Sequence, residues 1–176
     1  MVKVIVDGEV KTCEKGTTYL QIAKDFQQNY EHDIILAKRG EKLLELNKKV
    51  HKDEEITFLT TASDSGYKTY VRGVTLLMLR SFYHIARNRG LENVFVKHTL
   101  GDHIYCEAEG IAVTDELLSE VEAFMHELVQ KDLVFQKKSV STADAVDIFD
   151  QYGMHDKKKL FEYRRVSKVN IYNLDG

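Results

Sequence analysis

The 176-residue chain contains no proline. Its turns must therefore rest on Gly, Asn and Asp, which reach tight-turn conformations at low cost. It has two cysteines, Cys13 and Cys106, far apart in sequence and in no metal or redox spacing; such sparing use points to a reducing cytoplasm. No apolar run approaches the ~18 residues that a membrane span needs. The opening MVKVIVDGEV lacks the layout of a signal peptide. None of the ten glycines lies in G-x-x-x-x-G-K-[ST], so nothing here cradles a triphosphate. No serine sits in a nucleophile-elbow context. A positive excess is also missing: the net charge of −3 argues against a strongly electrostatic nucleic-acid binder.

What is present fits an ordinary folded protein, with 43% hydrophobic and 30% charged residues. The length suits one large domain or two small ones. Residues 2–6 alternate apolar and polar as a strand, Asp7-Gly8 is a two-residue hairpin signal, and residues 9–13 pair back. A threonine of Gly16-Thr17-Thr18 caps a helix that runs to about Asn29, with Leu20, Ile22, Ala23 and Phe26 on its inner face. Strands follow at 34–38, 43–46 and 55–59, with a turn at Arg39-Gly40. This ββαβ order with further short strands is the layout of a β-grasp, a mixed sheet packed on one helix. The small, polar run 61–66 reads as an interdomain linker.

The second part opens with a helix over 67–88, with apolar residues at helical spacing and Gly90 as its C-terminal cap. Strands at 94–97 and 103–107 join through Leu100-Gly101-Asp102. Thr114 caps a helix with two acids in its first turn and a buried stripe of Leu117, Leu118, Val121, Phe124, Met125 and Leu128. A strand over 133–140, a helix capped by Ser141 or Thr142, an amphipathic helix over 156–165 and a strand over 168–173 complete the pattern. The stop at Leu174-Asp175-Gly176 is abrupt, and the natural chain is expected to continue.

The segment LAKRGEKLLELNKKVHKDEEITFL resembles a TGS domain, the β-grasp module at the start of threonyl-tRNA synthetases and in some GTPases, although that family more often has Val-Asn where Lys38-Arg39 stands. From Tyr67 onward, TDELLSEVEAFMHELVQKDLVFQKKSVSTADAVDIF resembles the synthetase N2 domain. The implied fold class is α+β: a TGS β-grasp domain over 1–61, a linker over 62–66 and an N2-like domain over 67–176. In synthetases a helix at the place of YVRGVTLLMLRSF carries H-x-x-x-H, part of the site that hydrolyses mischarged tRNA. Here the matching positions are Gly73 and Leu77, which cannot hold a metal, orient water or move a proton. The Cys-x-x-x-His that completes the site would lie beyond Gly176.

Three details are similar to bacterial uridine-kinase-like proteins, in which both domains precede a P-loop nucleoside kinase: His98-Thr99-Leu100-Gly101 followed by Ile104-Tyr105-Cys106-Glu107, Asp156-Lys157 with Leu160 and Tyr163-Arg164, and Ile171-Tyr172-Asn173-Leu174. That resemblance implies the front, ligand-binding region of a uridine kinase. It implies no catalytic residue and no cofactor in these residues, with ATP and Mg²⁺ serving a domain after Gly176. A nucleotide or a structured RNA is the expected partner. The alternative is a synthetase-derived tRNA-binding module with a non-functional editing site.

If the synthetase groove survives, Arg72, His103, Tyr105 and Glu107 line part of it. His98, His103 and Cys106 share a hairpin, but strand alternation turns His103 and Cys106 to opposite sides, so no metal site is expected. Asp144, Asp147 and Asp150 repeat every three residues; the apolar Ala143, Val146 and Phe149 between them make the acids a solvated face. The basic clusters at 48–49, 137–138, 157–159 and 164–165 read as solvated surface. Phe161, Tyr163 and Tyr172 could stack bases, but their spacing favours core or rim packing.

Overall fold

A computed structural model describes residues 1–101 and 103–174. The chain divides into two compact units, Met1–Thr75 and Leu76–Gly176. Both are α+β.

In the first unit, β1 (Val2–Val6) and β2 (Glu9–Cys13) form an antiparallel hairpin. Asp7 (φ 48°) and Gly8 (φ 89°) are both left-handed, as the tightest two-residue turn requires. Helix α1 (Tyr19–Phe26), a 3₁₀ turn (Gln27–Asn29), β3 (Ile34–Arg39), β4 (Lys42–Glu45) and β5 (Glu54–Thr60) follow. The sheet order is β2-β1-β5-β3-β4, with β1 parallel to β5. This is the β-grasp.

Helix α1 starts where its sequence says it should. The Thr18 hydroxyl accepts from Gln21 N–H at 3.2 Å, while the Gln21 side chain accepts from Thr18 N–H at 2.9 Å. The next two amides donate to the carbonyls of Lys48 and Leu46 at 3.0 and 2.8 Å. Tyr19, Ile22, Ala23 and Phe26 pack against Val4, Val6, Ala37, Ile56 and Phe58. Into this core comes one carboxylate. Glu54 accepts from the Tyr19 hydroxyl and from Arg39 Nη1 at 2.5 Å.

The stretch expected to be a linker is largely helix. Helix α2 spans Asp64–Ala86, because Ser63 caps it: Gly66 N–H donates to Ser63 Oγ at 3.2 Å. The division between the units falls within α2, C-terminal to the expected linker at 62–66.

In the second unit, α2 gives way to a 3₁₀ turn (Arg87–Arg89) closed by left-handed Gly90. Strands β6 (Asn93–Leu100) and β7 (His103–Glu109) form one antiparallel pair. Thr114 caps α3 (Asp115–Gln130), its hydroxyl accepting from Leu117 N–H. Phe82, Ala86, Leu91, Val94, Leu117 and Val121 make the core among α2, the hairpin and α3. Leu118, expected in the buried stripe, is exposed, and Phe124 is half-buried with its ring stacked on His84 at 4.1 Å. Strands β8 (Phe135–Ser141) and β9 (Lys168–Leu174) pair antiparallel. Helices α4 (Thr142–Gln151) and α5 (His155–Glu162) lie between them in sequence, and Ser141 caps α4. Val140, Ala145 and Val169, with Ile148, Phe149, Phe161 and Ile171, form a separate small core. The turn residue Asp102 and the final Asp175-Gly176 lie outside the described residues.

Candidate functional site

The β6–β7 hairpin carries the largest group of expected site residues. Its inner face pairs Val94 with Ala108 and Val96 with Cys106. Cys106 is half-buried there, and that burial pushes its thiol above the ordinary value, away from thiolate chemistry. The outer face pairs Phe95 with Glu107, His98 with Tyr105 and Leu100 with His103. Strict alternation would have placed His98 on the inner side with Val96. The register shift between Val96 and His98 makes Lys97 an extra residue and carries His98 across the strand. Its ring then lies 5.2 Å from that of Tyr105.

Lys97 ties this face together. Its Nζ is 3.0 Å from Glu107 Oε2 and 4.6 Å from the centre of the Phe95 ring. The Lys97 hydrogen bond, aided by Tyr105, holds the Glu107 carboxyl below its usual range. The result is a charge-balanced platform of three rings, with hydrogen-bond donors at its edge and, among the described residues, no nucleophile beside a base. It can stack a planar group and bond its periphery. Phe95 and Lys97 were not legible as site residues: no glycine marks the bulge that brings Lys97 and His98 to this face.

Of the four expected groove residues, the hairpin sets His103, Tyr105 and Glu107 on one exposed face. Arg72 is exposed on the part of α2 that belongs to the first unit. Gly73 and Leu77 are half-buried on the same helix, and the Leu77 carbonyl accepts from the buried Ser81 hydroxyl at 2.9 Å. Among the described residues no three His, Cys, Asp or Glu side chains come together to hold a metal ion. The three aspartates of α4 are exposed, and Asp150 pairs with Lys158 at 2.9 Å. No described helix is long and apolar enough to cross a membrane.

The chain is similar over most of its length to threonine–tRNA ligases. That of Acholeplasma laidlawii is 27% identical over 175 residues, covering 98% of this chain and 26% of the ligase. That of Natranaerobius thermophilus is 23% identical over 148 residues, covering 84% and 23%. That of Chloroherpeton thalassium is 26% identical over 149 residues, covering 81% and 21%. No protein-family model matches. The chain thus spans about a quarter of the length of these relatives.

These relatives overturn the uridine-kinase reading. The likeness to synthetases runs through both units, whereas the kinase-like details were three short runs of a few residues each. The expectation of ATP and Mg²⁺ in a following domain rested on that reading. The α+β fold expected from the TGS and N2 resemblance stands.

Proposed function

We propose that this chain is a synthetase-type tRNA-binding region whose editing chemistry is absent. What supports the reading is a likeness together with the positions that the resemblance assigns. Threonine–tRNA ligases match 81–98% of the chain, and the synthetase resemblance assigns Gly73 and Leu77 to the positions of the editing helix's two histidines. The frame is kept while the groups that would activate water are not. With glycine and leucine at those two positions, an ester placed against them would meet only aliphatic carbon and backbone, so neither position supplies a metal ligand or a general base. Within this reading the ring platform of Phe95, His98 and Tyr105 supplies a stacking surface for an exposed base, and Lys97 and His103 supply donors beside it. Ligation itself is not assigned to this quarter-length region.

The test is a gel shift of the full 176-residue chain with a threonine-accepting tRNA transcript over a salt series, run beside an assay for serine released from mischarged tRNA. The expected result is binding that weakens as salt rises and no serine above the spontaneous rate. Absence of any shift at low salt would sink the tRNA reading; enzymatic serine release would sink the claim of lost editing.

A further inference from the structure

The basic clusters at 157–159 and 164–165 look like ordinary surface when read along the chain. In the folded chain they flank, along the sequence, one strongly exposed ring. The spacing predicts a helix through Arg165, with Tyr163 as core or rim. Instead α5 ends at Glu162, and Tyr163 is 81% exposed, the most exposed aromatic among the described residues. From Lys157 to Lys168 there are six Lys or Arg against one acid, Glu162, in a chain whose net charge is −3. Lys158 is engaged by Asp150, and Lys157 lies 5.8 Å from the Phe149 ring. Lys159, Arg165 and Lys168 have no acidic partner among the described residues.

The segment is held firmly. Phe161 stacks on Phe149 at 5.1 Å, and the Arg164 guanidinium lies 5.4 Å from the Phe161 ring. Just beyond, Thr142 donates its N–H to the Ser167 carbonyl at 3.2 Å and its hydroxyl to Val166. Tyr163, Arg164 and Arg165 are therefore presented from a short stretch anchored on both sides. Exposed cations before and after an exposed ring, in a stretch anchored on both sides, suit a partner that offers phosphates and an unstacked base. A membrane surface fits less well: a helix lying on lipid needs a continuous apolar face, and in α5 Phe161 is turned inward, leaving Leu160 alone.

We propose that the ridge formed by Lys159, Tyr163, Arg164, Arg165 and Lys168 is the main RNA contact of this chain, its cations on the phosphate backbone and Tyr163 under an unpaired base. The proposal deepens the tRNA-binding reading and rests on it.

The test measures binding of a fluorescent threonine-accepting tRNA transcript to the full chain, to a Lys159→Ala/Arg164→Ala/Arg165→Ala variant and to Tyr163→Ala, with circular dichroism confirming that each folds. Phosphatidylserine-containing vesicles serve as a second probe. The triple variant is expected to bind at least roughly tenfold more weakly at low salt, with a log–log salt slope shallower by about 2. Tyr163→Ala is expected to lose roughly fivefold or more with an unchanged slope. If the wild-type chain binds tRNA and the folded triple variant binds equally well with the same slope, the ridge is overturned while the tRNA reading stands. If the wild-type chain does not bind tRNA at all, both fall. Ridge-dependent binding to vesicles without binding to tRNA would also overturn the proposal and assign the surface to lipid.

Discussion

Arg39 and Glu54 form an ion pair with a buried partner in the first unit: the Arg39 guanidinium lies 2.5 Å from a Glu54 carboxylate whose side chain is 4% exposed. Glu54 also accepts from Tyr19, so both carboxylate oxygens are occupied. Arg39→Ala would leave a buried charge held by one hydroxyl. Breaking a buried pair costs about 3–5 kcal/mol, but Arg39 is 37% exposed and partly screened. The expected loss is roughly 1–3 kcal/mol. Glu54→Gln, which keeps the Tyr19 contact and removes the charge, should cost less. Thermal unfolding of both variants checks the order; Glu54→Gln being the worse of the two would refute it.

Gly66→Ala should destabilise, although alanine is the better helix former by ~1 kcal/mol. A Cβ at this position would stand 2.0 Å from the Thr60 carbonyl oxygen and 2.7 Å from its carbon. Both atoms are backbone and cannot step aside as a side-chain tip would. The expected net cost is about 1–3 kcal/mol, read as a lowered unfolding midpoint.

Ser81 is fully buried, and its hydroxyl turns back onto its own helix at Leu77. Ser81→Ala should stay within about 0.5 kcal/mol of wild type, because the helix preference for alanine offsets the lost bond. Ser81→Leu at the same site should cost roughly 1–3 kcal/mol by overpacking. Chemical denaturation of the two variants separates a packing role from a polar one.

Raised tyrosines in the first unit bear on the alkaline limb of stability, and lowered glutamates in the second bear on the acid limb. In the first, burial and then the Asp7 hydrogen bond push the Tyr30 hydroxyl from 10.0 to about 12. Burial, then the Glu54 bond, raises Tyr19 further still. A raised acid is stabilising while protonated, so this contribution is whole below pH 10.0 and disappears as pH climbs through about 12. In the second unit, Glu107 and Glu120 are lowered from 4.5 by hydrogen bonds from Lys97 and Arg89. Their contribution is present above 4.5 and is lost as pH falls below it. Tyr30→Phe should flatten the alkaline limb of a midpoint-against-pH curve and leave the acid limb unchanged.

The sequence was most legible where a local rule decides the conformation. Asp7-Gly8, Thr18, Gly90, Thr114 and Ser141 each act within a few residues, and each does what its type implies. It was least legible where distant backbone decides. Gly66 reads as a flexible spacer, yet it is glycine because Thr60 passes close by. The expected strand stops at residue 97, and nothing local marks the bulge that continues it and turns His98 to Tyr105. Tyr163 reads as the next turn of a helix that has already ended. The kinase inference failed for a related reason: a match of a few residues reports a hairpin or a turn, and hairpins and turns are shared among proteins with different chemistry.

The Thr60 carbonyl has one more implication. It accepts from the Ser63 amide at 3.1 Å and from the Ser63 hydroxyl at 2.8 Å, while Gly66 closes over it. Composition describes this stretch as a tether. Its bonding describes a bracket: the opening turns of α2 leave β5 in one fixed direction, and a push on those turns is a push on the β-grasp sheet.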